Sequence, residues 1–207
     1  MSQSAIDAGR ARAGLTLDRL PTPIGEALLV VDEEGFLRAL DWTEHAARMR
    51  RLLRLQGTGA SPRSGRAPAA IRRALDGYFA GDLDQLTAIP WRTGGTAFQQ
   101  AVWAALVEIP VGSTTSYGAL AVRLGRPKAV RAVGLANGAN PISLVVPCHR
   151  VIGSDGSLTG YGGGLARKRW LLAHEGARFE GQLSLEIEER PVRDAPGQGP
   201  GTRPDTD

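Results

Sequence analysis

The chain has 207 residues, 42% of them hydrophobic, a formal net charge of +4 and one cysteine, Cys148. That length can bury the core of one large domain or two small ones, while a single cysteine excludes an internal disulfide and the sulfur sets of a structural zinc site. Charges at Asp7, Arg10, Arg12, Asp18 and Arg19 break the first apolar stretch, and Gly134, Asn137, Gly138, Asn140 and Pro141 interrupt the longest uncharged one, so neither a secretory leader nor a spanning helix is expected and a reducing, cytoplasmic compartment fits.

Charge is unevenly spread. Residues 1–95 hold 13 basic against 11 acidic side chains, residues 96–175 hold 8 against 3, and residues 176–207 hold 4 against 7. The basic excess lies around Cys148 and favours an anionic partner such as nucleic acid.

Residues 1–16 are Ala-rich and predicted to be a flexible N-terminus. Two strands, 27–31 and 36–42, flank an Asp-Glu-Glu-Gly turn. Met49, Leu52 and Leu53 give a helix over 45–56, and after a Gly/Ser/Pro/Arg loop at 57–67, Ile71, Leu75, Tyr78 and Phe79 form the apolar stripe of a second. Residues 91–95 are predicted to be a linker, dividing a domain over 17–92 from one over 93–178.

In the second part, Thr96 and Gln99 make a capping-box signal before Phe98, Val102, Leu106 and Ile109, and Pro110 ends that helix. Ser116 can cap a short helix over 117–124 that Gly125 stops, and Pro127 suits the first position of the next, running to about Asn137 and carrying Lys128 and Arg131. Two short helices around a Gly-containing turn are the pattern of a helix-turn-helix. Residues 142–146 are predicted to be a short buried strand that Pro147 stops, leaving Cys148 at a strand end. A Gly-rich loop over 153–164 holds Tyr161, and a last helix over 165–175 turns Trp170 and Leu171 inward and Arg167, Lys168 and Arg169 mostly outward. Residues 179–190 alternate like an added strand, and disorder is expected from 191.

A lone cysteine is most often a small core hydrophobe. Here His149 and Arg150 follow it directly, and positive charge beside a thiol raises its thiolate fraction. A soft sulfur nucleophile suits attack on a saturated carbon, with His149 as base and Glu175 as the group that orients it. Adjacent side chains diverge, so a water between Cys148 and His149 is expected rather than a direct bond. Glu175 stands at a helix C-terminus, where the dipole disfavours negative charge, which argues for a role. His45 and His174 are read as solvated or structural.

The segments Thr114-Thr115-Ser116-Tyr117-Gly118, Pro127 to Gly134, Asn140-Pro141, Pro147-Cys148-His149-Arg150 and Leu171 to Gly176 resemble the O6-alkylguanine-DNA alkyltransferases of the bacterial Ogt type over about residues 17–178. The resemblance implies an α/β N-terminal domain, ribonuclease-H-like with a small antiparallel sheet, and a mainly α C-terminal domain with a winged helix-turn-helix. It implies repair by transfer of the alkyl group of O6-alkylguanine, and of O4-alkylthymine, to Cys148 in one irreversible turnover, through a Cys148, water, His149 and Glu175 relay. A base flipped from double-stranded DNA would enter a pocket of Tyr161, Gly162, Gly163, Val151, Lys168 and Asn140, with Tyr117 as proton donor and Arg131 filling the stack. Tyr117, Gly118, Arg126, Lys128, Ser154 and Gln99 would join Arg131 in minor-groove contact. Gly138 and Gly162 would leave room for alkyl groups larger than methyl. No metal or cofactor is expected, and a monomer, alone or in cooperative arrays on DNA, is the expected form. A cysteine hydrolase with a Cys-His-Glu triad and a noncatalytic DNA-lesion sensor are the competing readings.

Overall fold

The computed structural model describes residues 14–57 and 61–180. Three antiparallel strands come first: β1 (Leu15–Thr22), β2 (Gly25–Asp32) and β3 (Leu37–Trp42). β1 and β2 pair from Leu15↔Asp32 to Thr22↔Gly25, which leaves Pro23 and Ile24 as the hairpin loop. Between β2 and β3, Gly35 takes φ +87°, and Asp32 closes the turn by accepting from the Phe36 N–H through Oδ1 at 2.9 Å.

Helix α1 (Ala46–Leu55) and helix α2 (Ala69–Phe79) follow, with the two-residue strand β4 (Arg63–Ser64) between them. β4 runs parallel to β1, so the sheet order is β3-β2-β1-β4 and the sheet is mixed, not purely antiparallel as expected. β1 also begins at Leu15, inside the stretch predicted to be flexible. Its alternation is obscured because Leu17 packs on one apolar cluster and Leu20 on another.

The second part holds α3 (Ala97–Val107), β5 (Thr115–Ser116), α4 (Tyr117–Arg123), α5 (Val130–Gly138), β6 (Val151–Ile152) and α6 (Leu165–His174). The Thr96 and Gln99 capping box forms as expected, and the Ser116 hydroxyl accepts from the Ala119 N–H at 3.0 Å. α5 starts later than expected. Pro127 and Lys128 lie in the turn before it, where the Ala129 N–H bonds the Arg126 carbonyl at 2.9 Å. The two-stranded β5-β6 pairing, Thr115↔Val151 and Ser116↔Ile152, fastens the start of α4 to the chain just after Cys148.

Residues 142–146 are not a strand. The Val146 N–H bonds the Ile142 carbonyl at 3.0 Å, and Leu144 takes φ +73°, a left-handed conformation that among the described residues only it adopts besides glycines. Every residue of this turn is buried, so its apolar character reflects enclosure on all sides rather than strand pairing. One bridge, Leu40↔Ile142, holds it to β3, with Leu40 donating to the Pro141 carbonyl and Ser143 donating to the Leu40 carbonyl, both at 3.0 Å. Residues 91–95 are likewise pinned: Trp91 bridges Leu37, and the Gly94 N–H bonds Gln56 Oε1 at 3.2 Å. One apolar core contains Leu29, Leu40 and Tyr78 together with Val102, Leu106, Val146 and Leu171. The possible strand over 179–190 and the tail from 191 lie outside the described residues, apart from Phe179 and Glu180.

Candidate active site

Cys148 opens a single 3-10 turn, Cys148–Arg150, that leads straight into β6. It therefore sits at the start of a strand, one turn after the 142–146 bend, rather than at a strand end. Its side chain is 3% exposed, and Sγ accepts from Asn140 Nδ2 at 3.1 Å. Asn140 is the hub of the turn: Nδ2 also donates to the Val146 carbonyl at 2.8 Å, while Oδ1 accepts from the Ile142 N–H at 3.0 Å. Burial pushes the Cys148 thiol above the usual thiol range, against the Asn140 hydrogen bond and the positive charges of Arg48 and Lys168.

This corrects the expectation that His149 and Arg150 would lower it. Both point to Glu175 instead. His149 Nε2 lies 2.9 Å from Glu175 Oε1, Arg150 Nε donates to Oε2 at 2.8 Å, and Arg150 Nη2 donates to Oε1 at 2.9 Å. Tyr78 adds a fourth bond from α2, donating its hydroxyl to Oε1 at 2.9 Å. Burial raises the Glu175 carboxyl, but His149 and Arg150 outweigh that and hold it down to about 2. Burial lowers the His149 imidazole, with Glu175 opposing. An ionised Glu175 can only accept, so His149 Nε2–H donates to it and Nδ1, which has no partner among the described residues, keeps its lone pair. The site thus rests as a neutral thiol, a neutral imidazole with a free basic nitrogen, and a clamped carboxylate.

Glu175 reaches this position through the end of α6. Gly176 takes φ +71°, and the Ala177 N–H bonds the Leu172 carbonyl at 2.8 Å while the Gly176 N–H bonds the Ala173 carbonyl at 3.0 Å. This double closure of a helix end turns the chain inward and seats Glu175 with 5% exposure. His174 is structural, with Nε2 at 2.7 Å from the Tyr78 carbonyl.

Lys168 is fully buried, not outward, and Nζ donates to the Val151 and Thr159 carbonyls at 2.5 and 2.6 Å. Burial lowers its ammonium to about 8, although Cys148 opposes the shift. Trp170 is only half-buried; it stacks on His174 with ring centroids 4.6 Å apart. Tyr161 packs edge-on to Trp42 and to His149 at 6.2 and 6.3 Å, and its buried hydroxyl has no partner among the described residues. Gly163 must be a glycine, since a Cβ would stand 2.8 Å from the Trp42 ring. At Gly162 a Cβ would collide with the Arg48 guanidinium, so that space is filled by Arg48 rather than left open for a larger alkyl group. Gly138 does face open space. It lines a surface groove of about 450 Å³ bounded by Leu55, Trp103 and Leu135, which does not include Cys148.

Tyr117 joins the site through β5-β6 pairing. Its hydroxyl donates to the Thr159 and Gly160 carbonyls at 3.4 and 3.3 Å, and burial raises its ionisation above the usual phenol value. Arg126, Lys128, Arg131 and Ser154 are exposed, and Gly118 is half-buried on α4. Arg126 lies over the Phe98 ring at 5.4 Å. Gln99 spends its side-chain carbonyl on the Thr96 N–H at 3.0 Å. The reading of the sequence missed Tyr78 and Arg48: a tyrosine in an apolar stripe and an arginine in a basic helix carry no local sign of the groups they meet.

The profile described as 6-O-methylguanine DNA methyltransferase, DNA binding domain, matches residues 97–177. A methylated-DNA--protein-cysteine methyltransferase of Salmonella typhimurium is 50% identical over 161 residues, 77% of this chain and 94% of that protein. Among solved structures, the O6-methylguanine methyltransferase of Mycobacterium tuberculosis aligns with a TM-score of 0.64 at 41% identity, covering 84% of this chain and 99% of that one. The OGT of the same organism in complex with DNA aligns at 0.66 and 43% identity over 83% of this chain and 99% of that one. The Cys148 turn, its buried histidine and carboxylate, and these likenesses place the chain in the methylated-DNA--protein-cysteine methyltransferase family.

Proposed function

We propose that the protein repairs DNA by taking the alkyl group of O6-alkylguanine, and of O4-alkylthymine, onto Cys148. The observation that carries this is a buried thiol, held by Asn140, next in the chain to a histidine whose Nε2 is clamped by Glu175 while its Nδ1 has no partner among the described residues. The thiol proton passes through a bridging water to His149 Nδ1. The thiolate attacks the alkyl carbon, the S–C bond forms, and the C–O6 bond breaks with its electron pair left on the purine. Tyr117 supplies a proton to the departing base. The burial that raises the thiol keeps it quiescent until a base fills the pocket, and a thioether leaves no group able to cleave the C–S bond, so each molecule acts once.

The buried position of Cys148 supports base flipping, because a stacked base cannot present its alkyl carbon to an enclosed sulfur. We read residues 17–92 as a ribonuclease-H-like domain and 93–178 as the DNA-binding and acceptor domain, with α4 and α5 as a winged helix-turn-helix. Exposed Lys128 and Arg126 would meet phosphates in the minor groove, with Arg131 entering the stack and Tyr161, Gly162, Gly163, Val151, Lys168 and Asn140 enclosing the base. The protein acts as a monomer in the cytoplasm, where a reducing environment keeps the thiol free. Mass spectrometry after incubation with duplex containing O6-methylguanine tests the reading: a gain of one CH₂ on Cys148, at no more than one equivalent, is expected, and turnover beyond one equivalent or an unmodified Cys148 refutes it.

A further inference from the structure

The relay leaves unused a half-buried cation, Arg48, whose side chain is 19% exposed. Arg48 stands on α1, in the first part of the chain, outside the 97–177 segment that the family profile covers. Its guanidinium crosses to the acceptor turn. Nη1 donates to the Gly138 carbonyl at 3.2 Å and the Asn140 carbonyl at 3.5 Å, and Nη2 donates to Ser143 Oγ at 3.3 Å. Nε lies 3.1 Å from Asp41 Oδ2, and Asp41 is 1% exposed at the end of β3. On its other side the guanidinium fills the space beside Gly162. One planar, always-charged group therefore touches both the turn that carries Asn140 and the loop that follows Tyr161. Asn140 links it to sulfur, accepting from Arg48 through its backbone and donating to Cys148 through its side chain.

We propose that Arg48 is a positioning residue for alkyl transfer, holding the two walls of the acceptor site in register and supplying from the first part of the chain a fixed positive charge that stabilises the Cys148 thiolate. The groups facing the sulfur are few. Lys168 comes from α6, Tyr117 from α4 and Tyr161 from the glycine loop; Asp41 tempers Arg48 from β3, while the charges of Glu175 and Arg150 are spent on each other. Arg48 and Lys168 are the two cations that favour the thiolate against its burial. Of these, only Arg48 is held in place by a carboxylate, Asp41, and the acceptor turn together.

This inference rests on Cys148 being the acceptor, and its test does not need DNA. Because Cys148 is the only cysteine, the ultraviolet absorbance of its thiolate can be titrated in the intact chain, with Cys148→Ser as the blank for tyrosine ionisation. Arg48→Met is expected to raise the midpoint by about one pH unit, about tenfold less thiolate at a fixed pH below both midpoints. Arg48→Lys keeps the charge and is expected to stay near the parent. Asp41→Asn, which leaves Arg48 unopposed, is expected to move the midpoint down. Arg48→Met and parent curves that coincide, or an equal upward shift in Arg48→Met and Arg48→Lys, overturn the proposal whatever happens to the melting temperature. Should Arg48→Met not fold, an unmoved midpoint in Asp41→Asn does the same. Failure of methyl transfer in the parent protein would instead sink the function and leave these titrations standing.

Discussion

Tyr78 donates its hydroxyl to Glu175 Oε1 across 97 positions of sequence, so the carboxylate behind His149 is held by a helix of the first part of the chain. His149 and Arg150 approach the same group from the acceptor turn, and all of these side chains are buried. The clamp couples the stability of the interface between the two parts to the orientation of the base.

Tyr78→Phe removes one hydrogen bond to an ionised acceptor and nothing else of comparable size. It is expected to cost about 2 kcal/mol of stability, read from urea unfolding, with a smaller fall in the single-turnover transfer rate than any change at His149. An unchanged unfolding midpoint would show that the hydroxyl contributes nothing.

Glu175→Gln strips the counter-charge from Arg150, which is 6% exposed, and is expected to destabilise by about 3–5 kcal/mol. The pH dependence has a definite sign. Glu175 is held down to about 2 in the fold against an ordinary 4.5, so the stability it contributes is present above about pH 4.5 and is lost as pH falls toward 2. The variant should lose less stability than the parent over that window. Parallel acid-unfolding curves would contradict the clamp.

Methylation of Cys148 places a new carbon where Sγ sits 3.1 Å from Asn140 Nδ2 in a site 3% exposed. Overpacking and the loss of the sulfur as an acceptor are expected to cost about 1–3 kcal/mol, lowering the melting temperature by about 5 °C. Calorimetry of the fully methylated protein checks this. A methylated form as stable as the parent would mean the turn opens without strain, and Asn140→Ala, which frees the Val146 carbonyl, should then be equally harmless.

Arg131 and Lys128 are exposed, so their replacement by alanine should leave stability within about 0.5 kcal/mol. Lys128→Ala is expected to reduce the slope of log affinity for DNA against log salt by about 1. Arg131→Ala should slow transfer from duplex DNA while leaving transfer from free O6-benzylguanine intact. Equal loss on both substrates would place Arg131 in the fold of the pocket rather than at the DNA.

What the sequence determined by itself was local. Thr96 with Gln99, Ser116 and Gly125 act on the backbone within a few residues, so the helices they bound and the family signature around Cys148 could be read directly. The 142–146 segment could not, because apolar residues enclosed on every side look the same in a strand as in a tight turn braced against Leu40. Tertiary structure alone decided that Arg150 serves Glu175 rather than the thiol and that Tyr78 and Arg48 reach the site. Charge acts through space and burial, and the partners of a charged side chain are chosen by packing between segments tens of residues apart, which no local pattern records.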